Sequence, residues 1–209
     1  MEEAKGRGSA ARLQLTMMKG FGSDFVGLMQ KGFLIEGKVG CSIEAFLARQ
    51  LGLSQPYIES RITTIFLDGK PVDDIRSATI KDGSTVALSG AMPGLVGATL
   101  RRAGYYASLR SQISHHAEEN PSAITEGMFV LKLFNVLAGE VGEKIFREGV
   151  WIRKDDMKDF IRNRPADFWE RCAEARLNGN EVELGELRLM EWPESVRLVH
   201  LSIRKNSRS

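Results

Sequence analysis

Apolar side chains fall at every second position through Leu13, Leu15 and Met17 of RLQLTMMKGF, and a second extended run, KGFLIEGKVG, follows a glycine-rich stretch. Period two is the signature of a half-buried strand, so these ribbons are expected to pair as a hairpin. The period then changes. In CSIEAFLARQLG, Ser42 can cap a helix, Ile43, Phe46, Leu47 and Leu51 share one face, and Gly52 supplies a left-handed stop. After a polar connection through Pro56, RITTIFLDGKPV brings β-branched and aromatic residues up to Asp68-Gly69, the dipeptide that most strongly signals a tight hairpin turn. ATIKDGSTVALS repeats the device with Asp82-Gly83 ahead of Thr85, Val86, Ala87 and Leu88. The predicted order is β, β, α, β, short β, β, ending near Ser89.

Beyond Asn120-Pro121, which marks a break, the pattern predicts a second α/β unit. GMFVLKLFN suits a buried strand. VLAGEVGEKIFREG spaces Leu137, Val141, Ile145 and Phe146 as a helix that stops at Gly149, and the short strand VWI and the helical KDDMKDFI follow. Pro165 opens a further helix, with Phe168, Trp169, Cys172 and Arg176 along one side and Asn178-Gly179 as its end. Two late strands are predicted, at 181–189 and 196–203. No internal repeat is evident. The expected organisation is α+β: a flexible arm over 1–11, a mixed-sheet domain with one helix over 12–92, a glycine-rich connector and helix over 93–122, a smaller α/β domain over 123–205 and a tail over 206–209.

Composition changes this picture little. Of 209 residues, 43% are hydrophobic and 27% charged, enough to bury a core and inconsistent with disorder. Lys+Arg 29 against Asp+Glu 27 leaves a formal charge of +2, which argues against a nucleic-acid coating role. Cys41 and Cys172 form neither a disulfide framework nor a zinc set and read as buried apolar residues. The opening MEEAKGRGSAAR is acidic where a signal peptide is basic, and no long apolar run follows, so a cytoplasmic protein without a membrane segment is expected.

The element order of the first half resembles the ubiquitin-like β-grasp fold. SIEAFLARQLGL for the helix, IFLDGKPVDD for the strand and turn, and IKDGSTVALSGAMPG for the final strand are most similar to the small sulfur-carrier proteins of molybdopterin and thiamine biosynthesis. The likeness covers residues 12–94. In those carriers a free terminal Gly-Gly is activated and loaded with sulfur. Here the matching stretch is SGAMPGLVG and the chain continues, so the resemblance implies the fold and argues against carrier chemistry unless the chain is cleaved after Gly94 or Gly97. Residues 42–74 also look like the small RNA-binding module shared by a ribosomal small-subunit protein and pseudouridine synthases. There, however, Arg49, Arg61 and Lys70 face Glu44, Glu59, Asp68, Asp73 and Asp74, a poor surface for phosphate.

The most distinctive feature is a carboxylate-free stretch from Gly83 to Ala117, containing Arg101, Arg102, Arg110, His115 and His116. Within it PGLVGATLRR enters a helix through Gly94 and Gly97, where free backbone N–H groups and the nearby Arg101 and Arg102 would favour an anion. The same glycines would equally serve a tight connector. Tyr105, Tyr106 and Arg110 add side chains enriched at binding hot spots. His115 and Glu119 stand one helical turn apart, but with His116 and Glu118 they make no metal set. Asp155, Asp156 and Asp159 lack the glycine and spacing of a calcium loop. His200 sits in a strand pattern, so no catalytic triad can be nominated.

The resulting expectation has no catalytic residue, no metal and no cofactor. It is a binding or adaptor protein whose site is built from Gly94, Gly97, Arg101, Arg102, Tyr105, Tyr106 and Arg110. The expected partner is another protein, a second copy of the chain, or an anionic small molecule. The alternatives are an enzyme or cofactor-pathway component binding a phosphorylated or pterin-like ligand, and an RNA-binding module.

Overall fold

The computed structural model describes residues 9–18, 20–102, 104–105, 114–115 and 123–206. The first half runs β1 (Ser9–Met17), α1 (Val26–Lys31), β2 (Phe33–Val39), α2 (Ile43–Ala45) with a π-helical turn (Phe46–Gln50), α3 (Gln55–Arg61), β3 (Thr64–Leu67), β4 (Lys70–Pro71), β5 (Thr85–Ser89) and α4 (Gly94–Leu100). The second runs β6 (Thr125–Phe134), α5 (Val136–Glu140), α6 (Gly142–Glu148), β7 (Val150–Arg153), α7 (Lys154–Arg162), α8 (Ala166–Glu170), β8 (Cys172–Leu177), β9 (Asn180–Glu181), α9 (Leu184–Leu189) and β10 (Val196–Lys205). The protein is α+β, and strand pairing is mixed. Its compact units are Met29–Gly142, and Met1–Leu28 together with Glu143–Ser209.

In the Met29–Gly142 unit the strand order is β4-β3-β5-β6-β2. β6 runs antiparallel to β2 and parallel to β5, and β3 is antiparallel to both β5 and β4. The helix predicted from CSIEAFLARQLG forms on one face of this sheet. Ser42 caps it, its Oγ accepting from the Ala45 N–H at 3.2 Å, and Gly52 ends it at φ 64°. Ile43, Phe46 and Leu47 are fully buried, and the Phe46 ring meets Phe129 of β6 edge-on with centroids 5.0 Å apart. Gln50 fastens the helix to β2 by donating to the Lys38 carbonyl and accepting from the Lys38 N–H. The Asp68-Gly69 turn has φ of 50° and 79°, the type I′ signature, and closes the β3–β4 hairpin as predicted.

In the other unit the order is β7-β10-β1-β8-β9. β10 is antiparallel to β7 and parallel to β1, and β8 is antiparallel to β1 and β9. An aromatic cluster fills its core: Phe25 lies within 6 Å, centroid to centroid, of Phe21, Phe146, Phe160 and Phe168. Asp24 receives two 2.7 Å hydrogen bonds from the Arg171 guanidinium, a bidentate pair at the edge of that cluster.

Several expectations need correcting. The two N-terminal ribbons are strands, but they do not pair with each other: β1 joins β10 and β8, and β2 joins β6. Between them the chain forms a 3-10 turn and α1, burying Phe21, Phe25, Leu28 and Met29 in place of a tight reversal. Ser9, Ala10 and Ala11, inside the expected flexible arm, belong to β1 and pair with β10, and the rest of that arm lies outside the described residues. The compact units divide the chain after Leu28 and after Gly142, whereas the sequence pattern sets boundaries at 92 and 123. The helix expected from Pro165 stops at Glu170, and Cys172–Leu177 is a strand held by β1. Asn178-Gly179, with φ of 53° and 89°, is the β8–β9 hairpin turn rather than a helix end. Where a strand was expected at 181–189, β9 covers two residues and α9 follows.

Candidate functional site

The connector leaves β5 at Ser89 and enters α4 after Pro93, whose extended backbone (φ −73°, ψ 160°) suits the position ahead of a first turn. α4 is seven residues long, too short to gather a helix-terminus anion site. Gly94 adopts φ 79° in open space, and Gly97 is buried where an added Cβ would lie 2.0 Å from the Met92 carbonyl oxygen. Both glycines therefore serve backbone geometry and close packing, the connector reading of this motif.

Arg101 and Arg102 leave α4 and line a polar cleft of about 460 Å³ in the Met29–Gly142 unit. Arg102 is anchored twice. Its N–H donates to the Thr63 carbonyl at 2.7 Å, and its guanidinium donates to the Ile58 carbonyl of α3 at 3.1 Å. A cation at the end of a helix also meets the negative pole of the helix dipole. Burial disfavours its charged form and lowers its pKa, while Glu59, Asp73 and Glu44 pull it back. Those carboxylates line the cleft with Asp74, Arg76 and Arg101, so four carboxylates face three guanidinium groups. Asp74 is held below the usual carboxylate range, chiefly by the Arg76 N–H that bonds it at 3.0 Å. The Asp73 carboxylate accepts from the Ser114 hydroxyl at 3.3 Å. α2 supplies Glu44, α3 supplies Glu59, and the loop after β4 supplies Asp73, Asp74 and Arg76.

This cleft gathers Arg101 and Arg102 of the nominated residues, but its acidic lining escaped nomination. The signal was legible: the excess of acid over base across residues 42–74, read as an argument against phosphate, is the wall of the cleft. Tyr105 lies 91% exposed beyond it, and Tyr106 and Arg110 fall outside the described residues. His115 donates its N–H to the Pro71 carbonyl; His116, Glu118 and Glu119 are outside the described residues. Among the described residues no three His, Cys, Asp or Glu side chains are grouped to hold a metal ion. Asp155 and Asp156 occupy the first turn of α7, and His200 packs edge-on against Trp151 in β7. Both cysteines are free and buried, and burial pushes the Cys41 thiol up and Cys172 to about 11, against a reactive thiolate at the α2 start.

No protein-family model matches the chain, no curated protein matches it, and no solved structure matches it. No helix among the described residues is long and apolar enough to cross a membrane.

Proposed function

We propose that this chain is a non-catalytic binding or adaptor protein that engages its partner at the cleft beside Arg102, through a cationic or zwitterionic group such as lysine and arginine side chains on a protein surface. The observation that carries this reading is the charge lining: four carboxylates against three guanidinium groups, with the Arg102 guanidinium already donating to the Ile58 carbonyl. A phosphate entering there meets repulsion from Glu44, Glu59 and Asp73, whereas an ammonium or guanidinium group meets the opposite field. This narrows the sequence expectation, which allowed an anionic small molecule at the same arginines.

We read the Met29–Gly142 unit as a β-grasp in which β6 stands in the first-strand place, beside β2 and parallel to β5. Its support is the order β2-β6-β5-β3-β4, the sense of each pairing and the helix between β2 and β3. β5, which takes the last-strand place in that reading, runs on into the connector and α4, so the sulfur-carrier chemistry of the resembling family has no free carboxylate to use here.

The test is a thermal-shift and calorimetry series at low salt with tetra-arginine peptide, inorganic phosphate, a nucleotide, a pterin and a short RNA. Tetra-arginine should raise the melting temperature, since a ligand bound only to the native state stabilises it by mass action. Salt and the double variant Glu59→Gln, Asp73→Asn should each weaken that shift. Binding of phosphate, nucleotide or pterin that Arg101→Ala with Arg102→Ala abolishes would replace this reading with the cofactor-pathway one. Salt-sensitive RNA binding with no response to the peptide would replace it with the third.

A further inference from the structure

The face of the Met29–Gly142 sheet opposite α2 carries a second, different cavity. Alternation along the strands sends Ile65, Leu67, Val86, Leu88, Leu131 and Leu133 into the core beneath α2. The intervening residues face the other way, and the register sets Phe66, Ala87 and Lys132 in one row across β3, β5 and β6, with Ser89 beside Phe134 in the next. Met92, just ahead of the connector helix α4, and Leu100, its last residue, extend the lining of these rows. They enclose about 410 Å³. That volume lies within the range of small-ligand pockets, roughly 300 to 1,000 Å³, which are mostly apolar with a few convergent polar groups.

The polar groups are few and placed together. Lys132 is the only charged side chain among the described residues lining the cavity. At its rim Asn135 is held at φ 55° and ψ −137°, a conformation that costs an L-residue free energy and that the surrounding structure must impose. Its side-chain amide donates to the Ser89 hydroxyl at 2.9 Å, and that hydroxyl donates to the Gly90 carbonyl at 3.1 Å. Gly97 lets α4 pack back onto Met92, and α4 also turns Leu95 and Val96 outward, 72% and 69% exposed. The helix is thus apolar on both faces and has no charged residue to repel an apolar ligand at the mouth.

We infer that this cavity is a binding site for an aliphatic carboxylate of medium chain length, its tail against Phe66, Ala87, Phe134, Met92 and Leu100 and its head paired with Lys132. An apolar wall with, among the described residues, a single cation and no carboxylate selects an amphiphile with a negative head and excludes one with a positive head. This site is separate from the acidic cleft at Arg102 and does not depend on the function proposed for it.

The full-length chain is titrated with decanoate, decanol and decyltrimethylammonium, reading displacement of an apolar fluorescent dye and amide shifts in a two-dimensional NMR spectrum. Decanoate should bind, with shifts at Phe66, Ala87 and Lys132, and decyltrimethylammonium should not. Lys132→Met should weaken decanoate by about tenfold or more, the loss expected for a charge-assisted contact, and leave decanol unchanged. Ala87→Trp, placed on the half-buried face, should fill the cavity and abolish both. If that variant does not fold, the head-group comparison and Lys132→Met decide alone. Equal binding of all three amphiphiles, shifts confined to other residues, or no binding of decanoate overturns the assignment.

Discussion

The two units solve one problem with the central strands exchanged. In Met29–Gly142 the sheet reads β2, β6, β5, β3, β4, and in the other unit β7, β10, β1, β8, β9. Both follow the same sequence of senses: antiparallel, parallel, antiparallel, antiparallel. Both place helices between the first strand of that order and the fourth, β2 to β3 and β7 to β8, and both end in a two-residue hairpin with positive φ at each central residue. The difference lies in the middle. Beside β2 stands β6, which opens the second half of the chain, whereas beside β7 stands β10, which closes it. Two parallel, centrally buried strands are interchangeable as far as sense and burial go. Alternation, which decides which face each side chain lines, constrains the register within a strand and leaves its neighbour to the connections.

The severest test of this comparison is a fragment. Residues 12–92 hold every element that local pattern predicts for a five-stranded domain, yet they lack β6, the strand between β2 and β5. That fragment should give the collapsed amide spectrum of an unfolded chain, while residues 29–142, which contain all five strands of their sheet, should give a dispersed one. A folded 12–92 fragment would mean that β1 can replace β6, and the contrast between the units would dissolve.

Next in size are the core aromatics. Phe46→Ala removes the ring packed on Phe129, and Phe25→Ala opens the centre of the aromatic cluster. Each residue is fully buried, so each loss should be about 3–5 kcal/mol by chemical denaturation, transfer and cavity terms together. A clearly smaller loss in either would show a core able to collapse onto the gap.

What was legible in the sequence followed the range of the interaction. The Ser42 cap, the buried face of α2, the Asp68-Gly69 turn and β10 are fixed by neighbours a few residues away, and the pattern places them. The choice of partners for β1 is set by contacts more than a hundred residues apart, as in Leu13 opposite Leu201, and no local pattern carries that information. CAEARL illustrates the conflict. Its residues favour a helix, but pairing with β1 sets Ala175 opposite Leu15 and Leu177 opposite Leu13, and tertiary context overrides propensity. Asn178-Gly179 was the one local sign of the hairpin. At the candidate site, the arginines were visible because acids are absent around them in the chain. The acid excess of residues 42–74 was visible too; that the fold brings Glu44, Glu59 and Asp73 to the arginines was not.

The hairpins offer a smaller and cleaner comparison. Gly69 and Gly179 hold φ of 79° and 89°, and an added Cβ at either would meet nothing within 4 Å. Gly69→Ala and Gly179→Ala therefore isolate the backbone cost of a left-handed residue, about 1–2 kcal/mol, without a steric component. The two losses should agree. A much larger value at Gly179 would mean that the turn drives the β8 pairing rather than merely joining it to β9.

The smallest expected effect separates the ion pairs of the two units. Glu140 accepts from the Tyr57 hydroxyl at 2.6 Å and from the Arg61 guanidinium, which holds its carboxyl below the ordinary 4.5 and does so chiefly through the arginine. A carboxyl depressed by folding contributes stability that is complete above its unfolded value and is lost as pH falls through the folded one. The melting temperature of the unmodified chain should therefore exceed that of Glu140→Gln at pH 7, by a few degrees at most for so exposed a pair, and the gap should close below pH 4.5. Added salt should narrow it too, since the Glu140 side chain is 33% exposed. Asp24, 12% exposed and bonded twice by Arg171, should resist screening, so Asp24→Asn should cost the same at low and high salt. Equal salt sensitivity at the two positions would place Asp24 in solvent and remove the bidentate pair from the list of differences between the units.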